Sequence, residues 1–284
     1  MGERRLKNFI RHKNRNKPLS LLNILKKTLD KFLKKKTVEF SGRYSSWEEA
    51  KKNADGYDTP AILEKTKSAM REIVSGKAKF ERDSVLLPRA EYPWPLISCL
   101  LSTAASSHGR LSVLDFGGAL GSSYYQCRPF LQHMSELTWA VVEQKHFVEA
   151  GRAEFSPKPV SFYESPAEAV LGVQPNLLLL SSVLPYLPNP YARFRELLAM
   201  RISTVLVDRT FFLRRPGERL TVQKVPEWIY PASYPAWFLD EQKFKKLANE
   251  AGYRLIAEFS ALDQNHPEGE KADAKGFFWH WSEN

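Results

Sequence analysis

A glycine-rich turn that directly follows a short apolar run is the feature of this sequence best suited to chemistry. The segment Val113–Gly121 reads VLDFGGALG, so Asp115 precedes Gly117 and Gly118. Glycine permits a tight turn and lets the backbone approach a ligand without a Cβ clash. Backbone N–H groups at the start of a following helix are then free to bind that ligand. The pattern predicts a buried strand, a binding turn and a helix over about residues 122–134.

The glycine spacing distinguishes two classes of nucleotide-containing cofactor. A dinucleotide site uses G-x-G-x-x-G, whereas here the third position from Gly117 is Ala119 and the sixth is Ser122. The segment instead resembles the S-adenosylmethionine loop, an acid followed by G-x-G-x-G, with alanine at the middle position and Gly121 at the last. The Asp115 carboxylate would repel a pyrophosphate but attract a sulfonium and a free amino group. Both observations favour S-adenosylmethionine over NAD.

Two further strand ends carry side chains suited to the same cofactor. Leu137–Val142 predicts a second strand that ends in Glu143, whose carboxylate can accept hydrogen bonds from both ribose hydroxyls. Pro175–Leu187 contains a buried leucine strand followed by Ser181 and Ser182. Ligands of open α/β sheets bind at the carboxyl ends of the strands. We therefore expect these two serines to face the cofactor or its acceptor.

The rest of the chain predicts a doubly wound sheet, because strand and helix patterns alternate. Further strands are predicted over Pro159–Tyr163, Leu177–Leu180, Thr204–Asp208, Tyr253–Phe259 and Gly276–Trp281. The sequence thus resembles a class I S-adenosylmethionine-dependent methyltransferase. That resemblance implies a Rossmann-like α/β fold with a mostly parallel seven-stranded sheet, an antiparallel last strand and an N-terminal helical extension. It also implies that Glu164 and Ser165 contact the adenine.

A narrower resemblance is to a bacterial family of methyltransferases associated with surface-polysaccharide biosynthesis, and it covers about residues 40–260. Six segments carry it: FSGRYSSWEEA (Phe40–Ala50), ERDS (Glu81–Ser84), VLDFGGALG (Val113–Gly121), SSVLPYL (Ser181–Leu187), VDRT (Val207–Thr210) and VPEWIYPASYPAWF (Val225–Phe238). The resemblance implies methyl transfer, with a hydroxyl of a cell-surface glycan or its precursor as the expected acceptor.

Two residues at the end of the fifth strand are the candidates for catalysis. A hydroxyl acceptor must lose its proton, and Asp208 is predicted to take that proton or to anchor the acceptor beside Arg209. A structural ion pair between the two residues is the alternative.

The long connection after the fifth strand, residues 211–238, is predicted to be an insertion that binds the acceptor. Its prolines stiffen the chain, and Tyr230, Tyr234 and Trp237 offer aromatic faces that suit sugar C–H surfaces. Arg82, from the preceding segment, is predicted to reach the same pocket. The alternatives are an aromatic cluster packed over the sheet edge, and a surface salt-bridge cluster around Arg82.

Charge and composition divide the chain into three predicted parts. Residues 1–36 hold thirteen Lys or Arg against Glu3 and Asp30, a net charge of +11, while the whole chain is +10. The part over residues 1–36 is a basic amphipathic arm, which is typical of a membrane-surface element. Residues 37–108 are predicted to be an accessory helical segment on the acceptor side. Residues 109–284 are predicted to be the S-adenosylmethionine-binding domain.

The remaining expectations concern metals, location and alternative functions. Cys99 and Cys127 form no metal-binding or disulfide pattern, so the sequence predicts no metal and a reducing, cytoplasmic location. Two alternatives to membrane association of the arm are packing on the enzyme body or a second subunit, and binding of nucleic acid. Two other functions therefore stay open: an RNA methyltransferase whose arm binds phosphates, and a non-catalytic module that tethers partners to a membrane.

Overall fold

The predicted alternation of strands and helices is present in the computed structural model, which describes residues 38–56, 60–87, 89–263 and 265–282. The described helices are α1 (Trp47–Lys52), α2 (Pro60–Val74), α3 (Trp94–Ser106), α4 (Ser122–Cys127), α5 (Lys145–Glu154), α6 (Pro166–Val173), α7 (Pro190–Leu198) and α8 (Glu241–Glu250). The strands are β1 (Glu39–Tyr44), β2 (Phe80–Arg82), β3 (Val85–Leu87), β4 (Arg110–Phe116), β5 (Glu136–Val142), β6 (Val160–Tyr163), β7 (Leu177–Ser181), β8 (Thr204–Leu213), β9 (Arg219–Val225), β10 (Ala232–Phe238), β11 (Tyr253–Ser260) and β12 (Ala272–Trp281).

Seven strands form the central sheet, in the order β11-β12-β8-β7-β4-β5-β6. Strands β4 to β8 pair in parallel, and β12 runs antiparallel to both of its neighbours, β8 and β11. This arrangement confirms the predicted Rossmann-like sheet with an antiparallel last strand. The carboxyl ends of β4, β5, β7 and β8 therefore meet at one edge, where the sequence places its candidate site.

Both faces of the central sheet are covered, which explains why its strands are apolar without alternation. In β7, Leu177 and Leu179 pack into one core with residues of α2, α3 and α5. Leu178 and Leu180 point to the opposite face and pack with residues of α6, α7 and α8. The sheet is thus a rigid middle layer, and the ends of its strands hold side chains in fixed positions.

The segment 37–108 is not purely helical, so that prediction needs correction. It contains β1, which pairs antiparallel with β9 in a second sheet of order β1-β9-β10, and the β2–β3 hairpin. In β1, Phe40 is buried while Glu39 and Ser41 are exposed, the alternation of a strand with one covered face. Its partner Gln223 lies more than half the chain away, and no local pattern reveals such a distant pairing.

The predicted insertion over 211–238 is a β-hairpin rather than an irregular loop. Strand β8 continues to Leu213, and β9 and β10 then pair antiparallel. Pro235 lies in β10, an edge strand of this three-stranded sheet, where a missing N–H is tolerated. Phe40 meets Phe211 and Phe238 edge-on, with ring centroids 5.6 and 5.2 Å apart, and this contact fastens the small sheet to β8.

The helix after the glycine turn is shorter than predicted. It ends at Cys127 and continues as a 3₁₀ turn over Arg128–Phe130 instead of reaching Met134. Pro129 explains the change, because it has no N–H to donate within a helix.

Predictions for the basic arm, residues 1–36, lie outside the described residues. Within the described ranges, no helix combines the length and apolar character that a membrane span requires.

Candidate functional site

The glycine turn follows the end of β4 and contains three residues with left-handed backbone conformations. Gly117, Ala119 and Gly121 have φ values of +75°, +50° and +90°, a left-handed region that favours glycine. The Gly117 N–H donates to Val142 O at 2.9 Å, and a Cβ on Gly117 would collide with Val183. Ala119 holds the same left-handed conformation where the resemblance expects glycine.

Asp115 lies beneath the turn rather than in the cavity above it. Asp115 is 1% exposed, and its carboxyl group accepts a hydrogen bond of 2.9 Å from Trp139 Nε1. Burial raises the pKa of Asp115 to about 7, with the Trp139 hydrogen bond opposing the shift and the Glu143 charge adding to it. A Cβ on Gly118 would lie 2.5 Å from Asp115 Oδ2. Asp115 therefore supports the turn from below and does not line the cavity, and its predicted contact with the cofactor stays a prediction.

Glu143 ties the end of β5 to the glycine turn. Its Oε1 accepts from the Ala119 N–H at 3.3 Å and its Oε2 from the Gln144 N–H at 2.7 Å. Burial raises the pKa of Glu143, and these two N–H groups oppose the shift. The carboxylate thus stands beside the turn, at the strand end where the sequence places it.

A cavity of about 260 Å³ opens beside the turn at the carboxyl edge of the sheet. Its floor includes Gly117, Gly118, Ser181 and Ser182. The β9–β10 hairpin forms part of its wall, through residues that include Gln223, Tyr230 and Tyr234. The glycine turn, the two predicted serines and the predicted acceptor hairpin therefore meet around one space.

A chain of neutral polar groups follows the hairpin side of the cavity. The Tyr186 hydroxyl donates to Gln223 Oε1 at 2.8 Å, and Gln223 Nε2 donates to the Tyr234 hydroxyl at 3.1 Å. The Tyr230 and Tyr234 oxygens lie 3.4 Å apart. The rings also pack: Tyr186 meets Tyr234 edge-on, with centroids 5.4 Å apart. These tyrosines therefore form the packed aromatic cluster of the alternative and also line the cavity, and their contact with an acceptor stays a prediction.

Asp208 is a buried carboxylate at the cavity wall. It lies in β8, is 4% exposed, and its backbone oxygen accepts from the Ser182 N–H at 3.1 Å. Burial raises the pKa of Asp208 to about 6, with the Arg209 charge opposing the shift. Such a group is ionised above neutral pH and is more basic than an ordinary aspartate, which suits a general base.

Arg209 is held in place by two aspartates. Its Nε lies 2.5 Å from Asp263 Oδ2 and its Nη2 lies 2.5 Å from Asp83 Oδ2. A register shift against β12, between Lys275 and Phe277, puts a bulge into β8 at this point, and Arg209 has a φ of +51° there. Because of the bulge, the consecutive residues Asp208 and Arg209 have different neighbours. The alternative of an Asp208–Arg209 ion pair is therefore replaced by a bridge from Arg209 to Asp83 and Asp263.

Arg82 also lines the cavity and lies at the end of the β2–β3 hairpin. Its Nη2 is 2.8 Å from Glu91 Oε2. The neighbouring Glu81 is 2% exposed, and burial raises its pKa. Asp83 and Ser84 have φ values of +50° and +65°, which makes the hairpin a tight two-residue turn. Arg82 thus lines the cavity and forms an ion pair, whereas the buried Glu81 takes no part in a surface salt-bridge cluster; contact of Arg82 with an acceptor stays a prediction.

Six predicted site residues do not line the cavity: Asp115, Gly121, Glu143, Glu164, Ser165 and Trp237. Side chains alternate along a strand, so Trp237 points to the opposite face of β10 from Tyr234 and packs with Leu220 and Val222; its predicted place at the acceptor is wrong. Ser165 caps α6 by accepting from the Glu168 N–H, and Glu164 is exposed. Their predicted contact with the adenine stays a prediction.

Sequence reasoning missed several cavity residues, above all Asp263, Gln223 and Tyr186. Asp263 follows β11 and reaches Arg209 in β8. Gln223 is a buried polar residue of β9, on the same strand face as Thr221 and Val225. Its sequence neighbours are Val222 and Lys224, so the local pattern gives no signal that singles it out.

No family model matches this chain, and no curated protein matches it. The structure of magnesium protoporphyrin IX methyltransferase from Synechocystis with bound S-adenosylmethionine is 13% identical over 66% of this chain and 79% of that chain, with a TM-score of 0.44. The N-terminal domain of EvdMO1, in the presence of S-adenosylhomocysteine and D-fucose, is 12% identical over 79% of this chain and 100% of that chain, with a TM-score of 0.48. An uncharacterised protein from Burkholderia thailandensis is 13% identical over 79% and 94% of the two chains, with a TM-score of 0.47. The functional interpretation therefore depends on the residues of the site itself.

Proposed function

We propose that this protein is an S-adenosylmethionine-dependent methyltransferase that O-methylates a cell-surface glycan or its precursor. One observation carries the proposal: the glycine turn and the buried carboxylate of Asp208 line the same cavity at the carboxyl edge of the sheet. A cofactor turn and a candidate base that share one space are what transfer to a hydroxyl needs.

The residues around the turn fit the cofactor. Glu143 offers a carboxylate to ribose hydroxyls, and its present partners, the N–H groups of Ala119 and Gln144, belong to the same turn and strand end. Ser181 and Ser182 offer hydroxyl groups on the cavity floor. S-adenosylmethionine, when bound, supplies an activated methyl group on a sulfonium. The protein then has chiefly to align the acceptor and exclude water.

Asp208 is the residue we assign to the acceptor proton. A hydroxyl oxygen is a better nucleophile as it loses its proton, and a buried carboxylate whose pKa is about 6 is ionised and ready to take that proton above neutral pH. The leaving proton ends on the Asp208 carboxylate and passes from there to water. An amine acceptor loses its proton after transfer and has no need of such a base.

The acceptor side of the cavity supports a sugar. Tyr230 and Tyr234 contribute aromatic faces and hydroxyls, and Gln223 contributes an amide. Sugar rings combine apolar C–H faces with hydroxyl groups, so a wall of this mixed character suits them. We also propose that Arg82, the last residue of β2 before the hairpin turn, contacts the acceptor.

We further propose that the enzyme works in the cytoplasm, with the basic arm of residues 1–36 holding it near an anionic membrane surface. Each basic residue close to such a surface contributes on the order of 1 kcal/mol. An acceptor carried on a lipid would then be concentrated near the site.

Calorimetric binding of S-adenosylmethionine and S-adenosylhomocysteine, with NADH as the control ligand, tests the proposal. We expect both methyl-cycle ligands to bind wild type, Glu143→Ala to lose that binding, and Glu149→Ala, which removes an exposed carboxylate of α5, to keep it. Folded wild-type protein that binds neither ligand would contradict the enzyme and favour the tethering module. Binding of NADH in preference to both would contradict the choice of cofactor.

A further inference from the structure

The charged side chains that face the cavity have an unusual balance. Among the described residues there are five of them: Arg82, Asp83, Asp208, Arg209 and Asp263. Carboxylates therefore outnumber guanidinium groups by three to two. A cavity of this kind attracts a cationic cofactor, but its wall is unfavourable for an anionic acceptor.

An unpaired Arg209 side chain would make the cavity favourable for an anionic acceptor. A guanidinium is the side chain best suited to bind a carboxylate or a phosphate, because its N–H groups form paired hydrogen bonds with two oxygens. Here, however, its Nε and Nη2 each lie 2.5 Å from an aspartate oxygen. The side chain is only 17% exposed, so little of it remains open to a third anion.

The two aspartates come from separate parts of the chain. Asp83 lies in the β2–β3 turn with a φ of +50°, and Asp263 follows β11. The Asp83 side chain is 57% exposed and lies at the opening of the cavity, whereas the Asp263 side chain is 15% exposed and lies inside it. Arg82, the second cation, is paired with Glu91. Both cationic groups of the described cavity wall are thus already matched by carboxylates.

We propose that Asp83 and Asp263 are specificity-determining residues that occupy Arg209, so that the acceptor cavity takes an uncharged, hydroxyl-bearing sugar and rejects uronic acids and sugar phosphates. This inference rests on the proposed function, because it narrows the acceptor of the same site.

Selectivity of this kind arises from repulsion as much as attraction. An entering anion would have to displace a carboxylate from Arg209 and then remain near two or three carboxylates, which is a way to reject the wrong ligand. A neutral ring meets no such cost. It finds neutral donors and acceptors instead, in the Tyr186–Gln223–Tyr234 chain.

The test uses inorganic phosphate and glucuronate as probes, with binding measured by calorimetry on the full-length protein. Three proteins are compared: wild type, Asp83→Asn/Asp263→Asn, and the same double variant with Arg209→Gln added. Asparagine keeps the shape of aspartate and removes its charge, so Arg209 becomes available. We expect the double variant to bind phosphate about tenfold or more tightly than wild type, since a charged hydrogen bond becomes possible, and we expect Arg209→Gln to abolish the gain.

Two results would overturn the inference. The first is that wild type binds phosphate as tightly as the double variant does. The second is that the increase in phosphate affinity persists after Arg209→Gln, which would assign the binding to Arg82. Thermal unfolding verifies that each protein is folded, and the single variant Asp83→Asn, at the more exposed partner, replaces the double variant if that protein is unstable. Binding of S-adenosylhomocysteine is measured in parallel. Its absence from all three folded proteins would count against the proposed function, while the phosphate comparison would still decide the role of the aspartates.

Discussion

Trp139 donates its indole Nε1–H to the carboxyl group of Asp115 across 2.9 Å, in the centre of the sheet. Trp139 is completely buried and Asp115 is 1% exposed, so this hydrogen bond is shielded from water. Burial nevertheless raises the pKa of Asp115 to about 7. A group that titrates near neutrality therefore lies directly beneath the candidate cofactor turn.

The stability of the protein should depend on pH through Asp115. Its pKa is raised from 3.8 to about 7 on folding, so the folded state holds the proton more tightly than the unfolded state. The resulting stabilisation is fully present below about pH 4 and is lost as the pH rises through about 7. We expect the free energy of unfolding of wild type to fall over this range, relative to Asp115→Asn, by up to about 1.4 kcal/mol per pH unit. Urea unfolding at pH 5 and pH 7 measures the difference, and parallel pH dependences in the two proteins would contradict it.

Gly118 should resist substitution because of the same carboxyl group. A Cβ there would lie 2.5 Å from Asp115 Oδ2, so Gly118→Ala should cost about 1–3 kcal/mol of stability, the usual range for an added group in a packed site. It should also weaken S-adenosylhomocysteine binding by displacing the turn.

The double variant Asp115→Ala/Gly118→Ala serves as the control for that prediction. The smaller side chain at 115 makes room for the added methyl group, so the two changes together should cost less than their sum. Additive free energies of unfolding would show that the clash is not the cause.

How far the sequence predicts the site depends on how local each part is. The turn, Glu143 and Ser181 follow strand ends within short segments, so spacing alone predicts their positions. Asp115 shows the limit of this reasoning. An aspartate at this position predicts a carboxylate that faces the ligand, but its side chain instead points to Trp139 in the neighbouring strand.

The parts that sequence reasoning missed depend on pairing between distant residues. Strand β1 exists because β9 offers it a partner, and Arg209 meets Asp83 and Asp263 only after three separate segments have folded. Trp237 was misassigned because its segment was interpreted as a loop, whereas strand alternation turns it away from Tyr234.

Replacement of Asp208 should separate catalysis from cofactor binding. Asp208→Asn removes the proposed base, so the rate of methyl transfer should fall by about 10²–10⁴-fold, the range for general-base groups, while S-adenosylhomocysteine affinity stays unchanged. In wild type, the rate should decline as the pH falls through about 6, because Asp208 becomes protonated. Transfer of a labelled methyl group to isolated glycan fractions gives both measurements. Full activity of folded Asp208→Asn would remove Asp208 from the mechanism.

The two faces of β10 should respond differently to mutation. Tyr234→Phe removes a hydroxyl from the cavity wall and breaks its bond with Gln223, so we expect a higher KM for the acceptor and unchanged cofactor affinity. Trp237→Phe alters the opposite face, so we expect both quantities to stay near wild type. Steady-state kinetics with varied acceptor distinguishes them, and equal effects of the two changes would contradict the assignment of faces.

Phe40 should contribute strongly to stability although it lies in a short strand. It is 3% exposed and packs edge-on against Phe211 and Phe238. Phe40→Ala should cost about 3–5 kcal/mol, as for other buried aromatic side chains, whereas Glu39→Ala, at the exposed neighbouring position, should cost little. Chemical denaturation of the two variants tests this, and a similar loss in both would point to backbone pairing rather than the ring.

The pairing of β1 with β9 also determines when the site can form. Phe40 pairs with Gln223, so the first described strand leaves the ribosome long before its partner has been translated. Contacts between such distant segments form late, because a long loop must close first. The cavity wall therefore assembles only after β9 has been translated, and a nascent chain that stops before β9 is left with β1 unpaired and the Phe40 ring exposed to aggregation or chaperones.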